Sequence, residues 1–78
     1  MVDLGEIVTK SEQQITINGE FHSVPTDISI DGLLVYLEID RRHVAVEQNR
    51  KLIVKADYRE AMVKDGDAFE LVTFVGGG

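Results

Sequence analysis

Polar and apolar residues begin to alternate at Gln13. Ile15 and Ile17 are separated by Thr16 and preceded by Gln14, the two-residue period of a strand with one buried face. Asn18-Gly19 follows, a pair suited to a type I′ hairpin turn because both central residues need positive φ. A returning strand is expected from about Glu20 to Val24, ended by Pro25. Its register has two solutions. A two-residue loop sets Ile17 opposite Glu20 and Thr16 opposite Phe21, turning Phe21 away from the isoleucine face. A three-residue loop with a bulge sets Phe21 beside Ile17 instead. A lone large aromatic is more often core than surface, so Phe21 is expected to be buried.

The period then changes to that of a helix. Ile30, Leu33, Leu34 and Leu37 fall at i, i+3, i+4 and i+7, a single apolar stripe. Ser29 suits the N-cap and Asp31 the first turn, where the helix dipole favours negative charge. Gly32 and Val35 lower the intrinsic propensity, so packing must hold this helix, which is expected to end around Glu38 to Asp40. The leucine stripe and Tyr36 read as structural. Arg41, Arg42 and His43 read as a solvated connection. A third strand is expected over Val44 to Glu47, with Val44 and Val46 towards the helix and Ala45 and Glu47 away from it. Gln48 to Arg50 form a turn, and Leu52 to Val54 a short extended piece. Tyr58 to Val63 read as a single helical turn or a short 3-10 piece. Lys64 to Asp67 form a tight turn with Gly66 at positive φ. A last strand runs from Ala68 or Phe69 to Phe74. It must pair on both sides to bury Phe69 and Leu71, which makes it central. One helix on one face of a mixed four- or five-stranded sheet is an α+β arrangement.

Composition narrows the function. With 78 residues there is room for one small domain. The absence of cysteine excludes disulfides, zinc ribbons and a thiol nucleophile. The formal net charge of −6 argues against nucleic acid and anionic membrane, and favours a partner with a basic surface. No apolar run reaches the length of a membrane span and no signal peptide is recognisable, so a cytoplasmic location is expected. His22 and His43 are the only histidines and lack metal-ligand company. Asp65 and Asp67 lack the spaced ligands of a calcium loop. No nucleophile elbow, P-loop or GxGxxG pattern occurs, so the chain is not expected to be an enzyme or to bind a cofactor of its own.

The unusual feature is the end of the chain. After Phe74 and Val75 come Gly76, Gly77 and Gly78. Glycine orders at the largest entropic cost, so such a tail adds nothing to stability. Its use must lie in a bare backbone that can thread a narrow channel and in an unhindered terminal carboxylate. Residues 1–12 are expected to be a flexible extension, residues 13–75 the folded domain, and residues 76–78 a flexible reactive tail. In the last strand, Glu70, Val72 and Phe74 share the face opposite to Phe69 and Leu71. Val72, Phe74 and the adjoining Val75 are therefore the candidate partner-binding residues, bordered by the small Ala45 and Thr16.

The element order and the stretch KDGDAFELVTFVGGG at Lys64 to Gly78 resemble the β-grasp, ubiquitin-like sulfur carriers, and among them the carriers of thiamine biosynthesis. ITINGE at Ile15 to Glu20 is similar to the first hairpin of that family. The stripe Ile30, Leu33, Leu34 is similar to its helix core, and VAVEQN at Val44 to Asn49 to its third strand and turn. The sequence departs from the family in the extension before the first strand and at Asn49-Arg50-Lys51, where a glycine-containing turn is common. The resemblance implies a β-grasp fold and a carrier that another protein charges. An E1-like adenylating enzyme using MgATP would activate the Gly78 carboxylate. A sulfur donor, fed by a cysteine desulfurase or sulfurtransferase route, would convert it to a thiocarboxylate, and thiazole synthase would take the sulfur. Two alternatives stand beside this reading: sulfur carriage for molybdopterin or tRNA thiolation, and a ubiquitin-like interaction or conjugation module without sulfur.

Overall fold

The computed structural model describes residues 12–75, so the expected extension, apart from Glu12, and the glycine tail lie outside the described residues. Among the described residues there are five strands and one α-helix: β1 (Glu12–Ile17), β2 (Glu20–Pro25), α1 (Ile30–Tyr36), β3 (Val44–Gln48), β4 (Lys51–Ile53) and β5 (Ala68–Thr73). The sheet order is β2-β1-β5-β3-β4, which makes β5 central as its apolar pattern requires. It runs parallel to β1 and antiparallel to β3, so the sheet is mixed. Ile15, Ile17, Val24, Val44, Val46, Phe69 and Leu71 point from one sheet face into a core shared with Ile30, Leu33 and Leu34 of α1. This is the α+β, β-grasp arrangement with its helix on one face only.

The first hairpin settles the register. Asn18 and Gly19 have φ of 50° and 85°, both left-handed, and Ile17 pairs with Glu20 and Thr16 with Phe21. The two-residue loop leaves no bulge, so Phe21 falls on the face away from α1. It is 75% exposed, contrary to the expected burial. Turn geometry overrides the side chain here, because shifting the register by one residue would turn the whole of β2 over.

Helix α1 is capped as its sequence indicates. Gly32 N donates to Ser29 Oγ at 3.1 Å and Leu33 N to Ser29 O at 2.9 Å. The two remaining N-terminal amides find acceptors outside the helix: Ile30 N donates to Ala61 O and Asp31 N to Tyr58 O, each at 2.9 Å. The amides of Ile30, Asp31 and Gly32, which precede the helix's own first bond from Leu33 N to Ser29 O, are thereby satisfied. The helix stops sooner than its stripe implies. Glu38 is left-handed (φ 60°), Glu38 N donates to Val35 O and Ile39 N to Leu34 O, closing a Schellman motif. Leu37 stays partly buried against the core, whereas Tyr36, read as structural, is 52% exposed.

The segment expected as a helical turn at Tyr58 to Val63 is displaced. A 3-10 turn occupies Lys55–Asp57, and Tyr58 caps it with its ring buried. Tyr58 to Val63 instead runs past the start of α1 and supplies the acceptors named above. Burial pushes the Tyr58 phenol up, only partly offset by a main-chain hydrogen bond at Val46. Gly66 has φ 86°, as the Lys64 to Asp67 turn predicts.

The second hairpin turn has no glycine. Asn49 and Arg50 have φ of 52° and 69°, so the turn adopts the same doubly left-handed form with two L-residues. Asn tolerates that region through local hydrogen bonds, but Arg has no such compensation. Relief of the left-handed strain outweighs the added chain entropy of glycine. Arg50→Gly is therefore expected to stabilise the domain by about 0.5–1 kcal/mol, measured as a shifted urea midpoint with unchanged slope.

Candidate functional site: the end of the central strand and its open face

The chain leaves the sheet at β5, and three devices fix that strand. On one side Asn18 continues the ladder that β1 abandons at Ile17. Its main-chain N donates to Phe69 O at 2.9 Å. Its side-chain Nδ2 donates to Leu71 O at 3.1 Å, and Leu71 N donates to Asn18 Oδ1 at 2.9 Å. The carboxamide thus acts as one more peptide unit. On the other side Asn49 does the same at the start of β5, where its N donates to Ala68 O at 2.7 Å and Ala68 N donates to Asn49 Oδ1 at 2.9 Å. The third device is Asp67, a buried carboxylate. It accepts from Gln48 Nε2 at 2.8 Å, Asn49 Nδ2 at 3.0 Å and Lys64 N at 2.8 Å. The first residue of a hairpin turn is a familiar place for Asn, but nothing in a sequence says that its amide will reach a third strand.

Asp67 gives the domain a specific acid sensitivity. Burial alone would raise its pKa, but the donors on Asn49, Gln48 and Lys64 outweigh it and hold the carboxyl below its usual value. A carboxylate depressed in the folded state stabilises above its unfolded pKa of about 3.9, and that stabilisation disappears as pH falls through the lower folded value. Asp67→Asn is expected to cost about 1–3 kcal/mol near neutral pH. The gap between the proteins should narrow as pH drops below about 4, as followed by urea unfolding across that range.

At the far end of β5 the ladder to β3 extends one bond past the strand, Phe74 N donating to His43 O at 2.9 Å. Val75 beyond it is fully in solvent. Val72 is 61% exposed, with Ala45 its cross-strand partner, and Phe74 is 38% exposed with the Lys55 ammonium 5.7 Å from its ring centre. The three candidate partner-binding residues are thus accessible in one short stretch next to the tail. Thr16 lies farther back: its partner on β5 is Ala68, so it borders the start of the strand and not Val72. Two apolar residues of the same open face were not anticipated as contributors. Phe21 sits opposite Thr16, and Leu52 sits opposite Glu47 and is 62% exposed. Neither carries a signal beyond strand register, which the sequence left open for one and did not address for the other.

The tail end of the domain is basic at its rim. Arg41 forms an ion pair with Asp31 and lies over the Tyr58 ring. Arg42 chelates Asp40 through its guanidinium and its main-chain N, which holds the Asp40 carboxyl well below the usual carboxylate range. Lys55 Nζ donates to Arg42 O. Among the described residues no group of three His, Asp or Glu side chains could hold a metal ion, and no helix is long and apolar enough to cross a membrane.

The described residues thus form a β-grasp body whose open sheet face carries Val72 and Phe74 at the end of its central strand. Residues 6–78 match the model of the ThiS family. This chain belongs to the ThiS family. Its structure superposes on the crystal structure of thiamine biosynthesis protein ThiS from Geobacter metallireducens with a TM-score of 0.70 and 32% identity, over 85% of this chain and all of the other. The sulfur carrier protein ThiS of Bacillus subtilis is 40% identical over 50 residues, 64% of this chain and 76% of that protein. A thiazole synthase of Paramagnetospirillum magneticum is 40% identical over 65 residues, 83% of this chain, of which this chain spans only a fifth. The proteins it is similar to are thus a thiamine biosynthesis protein, a sulfur carrier protein and a part of a thiazole synthase.

Proposed function

We propose that this chain carries sulfur as a thiocarboxylate on Gly78 and delivers it to thiazole synthase. The Gly78 carboxylate attacks the α-phosphorus of MgATP held by an E1-like adenylating enzyme, and pyrophosphate leaves. A carboxylate is a poor acyl donor, and the acyl-adenylate supplies the missing leaving group. A persulfide sulfur, generated through a cysteine desulfurase or sulfurtransferase route, then displaces AMP. Cleavage of the resulting S–S bond by a thiol leaves the thiocarboxylate, which is ionised and nucleophilic at neutral pH. The domain's part is positional. The clamps at Asn18, Asn49 and Asp67 hold β5 still, Val72, Phe74 and Val75 provide the contact, and Gly76 to Gly78 reach into the partner's site.

The observation that carries this reading is the triglycine end on a ThiS-family body. A similar stretch within a thiazole synthase of another organism supports the choice of acceptor. Intact mass measured after incubation with the adenylating enzyme, MgATP and a sulfur donor should show oxygen replaced by sulfur at the terminus. Thiazole synthase, added afterwards, should return the mass to its starting value. An isopeptide adduct to lysine in place of that exchange would indicate conjugation, and discharge only by a molybdopterin or tRNA-thiolating acceptor would indicate a different product.

A further inference from the structure

The open face of the sheet carries a like-charge pair at its centre. Glu47 of β3 and Glu70 of β5 are direct cross-strand partners, and both are exposed. Carboxylates placed opposite each other on one face repel. Among the described residues neither has an ion pair or a side-chain hydrogen bond. Among the described residues no strand places a lysine or arginine on that face to offset them: Lys51 is the only one within a strand, and it pairs with Gln48, which points to the opposite side. The pair is ringed by exposed apolar and small side chains, with Leu52 beside Glu47, and Val72 and Ala45 one row towards the tail. A second charge without a counter-ion sits farther along. Lys55 lies over the Phe74 ring and meets only the Arg42 carbonyl, with no carboxylate in reach among the described residues. Glu70 and Phe74 are four residues apart on an extended chain, roughly 13 Å.

We infer that this face receives a protein surface in which a lysine or arginine, set among apolar side chains, enters between Glu47 and Glu70 while an acidic side chain meets Lys55. Charge complementarity specifies that occupant. The acidic pair is a cost in the free domain that a cation removes on docking, and the acid-to-base polarity along β5 fixes which way round the partner sits. A partner docked in reverse would set like charges against each other at both ends. The correct orientation directs the glycine tail into the partner. This inference rests on the carrier reading above and assigns the first docking partner, the adenylating enzyme, its contact chemistry.

The test compares wild type with the double variant Glu47→Gln/Glu70→Gln, Lys55→Gln, and Glu60→Gln as a control in an exposed turn. Binding to the purified adenylating enzyme of the same genome is followed by stopped flow at several salt concentrations. The double variant is expected to associate about tenfold more slowly with a flatter salt dependence, and Lys55→Gln to show a smaller loss of the same kind. The melting temperature of the double variant should hold or rise, since repulsion has been removed. The control should behave as wild type. Association of the double variant at the wild-type rate would overturn the assignment, as would a loss no larger than that of Glu60→Gln. Sulfur loading of wild type, read by mass in the same preparations, separates the two levels. A wild type that loads while the double variant binds normally sinks this inference alone, whereas a wild type that neither binds nor loads sinks the carrier reading and this one with it.

Discussion

A chain lacking Gly78, or ending there in a carboxamide, is expected to accept no sulfur while keeping its stability. The expectation follows from where the chemistry sits. On the proposed reading the partner enzymes do the catalysis and the Gly78 carboxylate is the group that reacts, and an amide cannot attack phosphorus in its place. Shortening by one residue leaves a carboxylate on Gly77, but one that falls short by about 3.3–3.6 Å of extended chain. A reacting atom displaced by even 1 Å can cost on the order of 100-fold in rate. Mass spectrometry after loading, alongside thermal melts, reads both halves of the prediction. Sulfur uptake by the truncated chain would place the chemistry elsewhere. Unfolding of that chain would show that the tail contributes to the fold.

Replacing Val72 and Phe74 together by alanine is expected to weaken binding to the adenylating enzyme by roughly 30-fold or more, with a loss of only a few degrees in melting temperature. One well-placed aromatic anchor is worth about 2 kcal/mol or more at an interface, which sets the size of the effect. Val72 is mostly in solvent, and although more than half of Phe74 is covered, neither side chain belongs to the buried core. One internal contact at stake is the Lys55 ammonium over the Phe74 ring, worth about 0.5–1 kcal/mol at an exposed site. Phe69, two residues before Leu71 on the opposite face, supplies the contrast. It is buried to 1% exposure, and Phe69→Ala is expected to cost about 3–5 kcal/mol, a large fraction of what holds a domain of this size together. Calorimetric titration and melting curves on the three proteins would show the two faces of one strand doing different work. Normal affinity with lost stability in the Val72/Phe74 variant would assign those side chains to the domain edge.

The two hairpins show where a one-dimensional reading succeeds and where it stops. Asn18-Gly19 announces its turn because positive φ at two successive residues is a local demand that few residue pairs meet. A turn is legible at Gln48 to Arg50 as well, but its doubly left-handed form is not, since Arg50 bears the strain and the contacts that hold it come from Asp67 and Ala68 across the sheet. Phe21 failed for a related reason. Its hydrophobicity argued for burial, but the register fixed by Gly19 left it no route to the core. The helix stripe was legible because one element carries the whole pattern, whereas Tyr58 was misplaced because its role is to serve the start of α1, thirty residues earlier in effect and invisible to periodicity.

The amino-acid order by itself determined the order of elements, the central place of the last strand and the buried partners Phe69 and Leu71. Those are properties of neighbours in sequence: alternation, helical spacing and turn preference. Only the folded chain decided which side chains meet across strands, and so that Asn18 completes a ladder for Leu71, that Glu47 stands against Glu70, and that Lys55 lies over Phe74. Such pairs depend on register and on the path of loops, where a shift of one residue exchanges one face for the other, and no local preference is strong enough to specify that on its own.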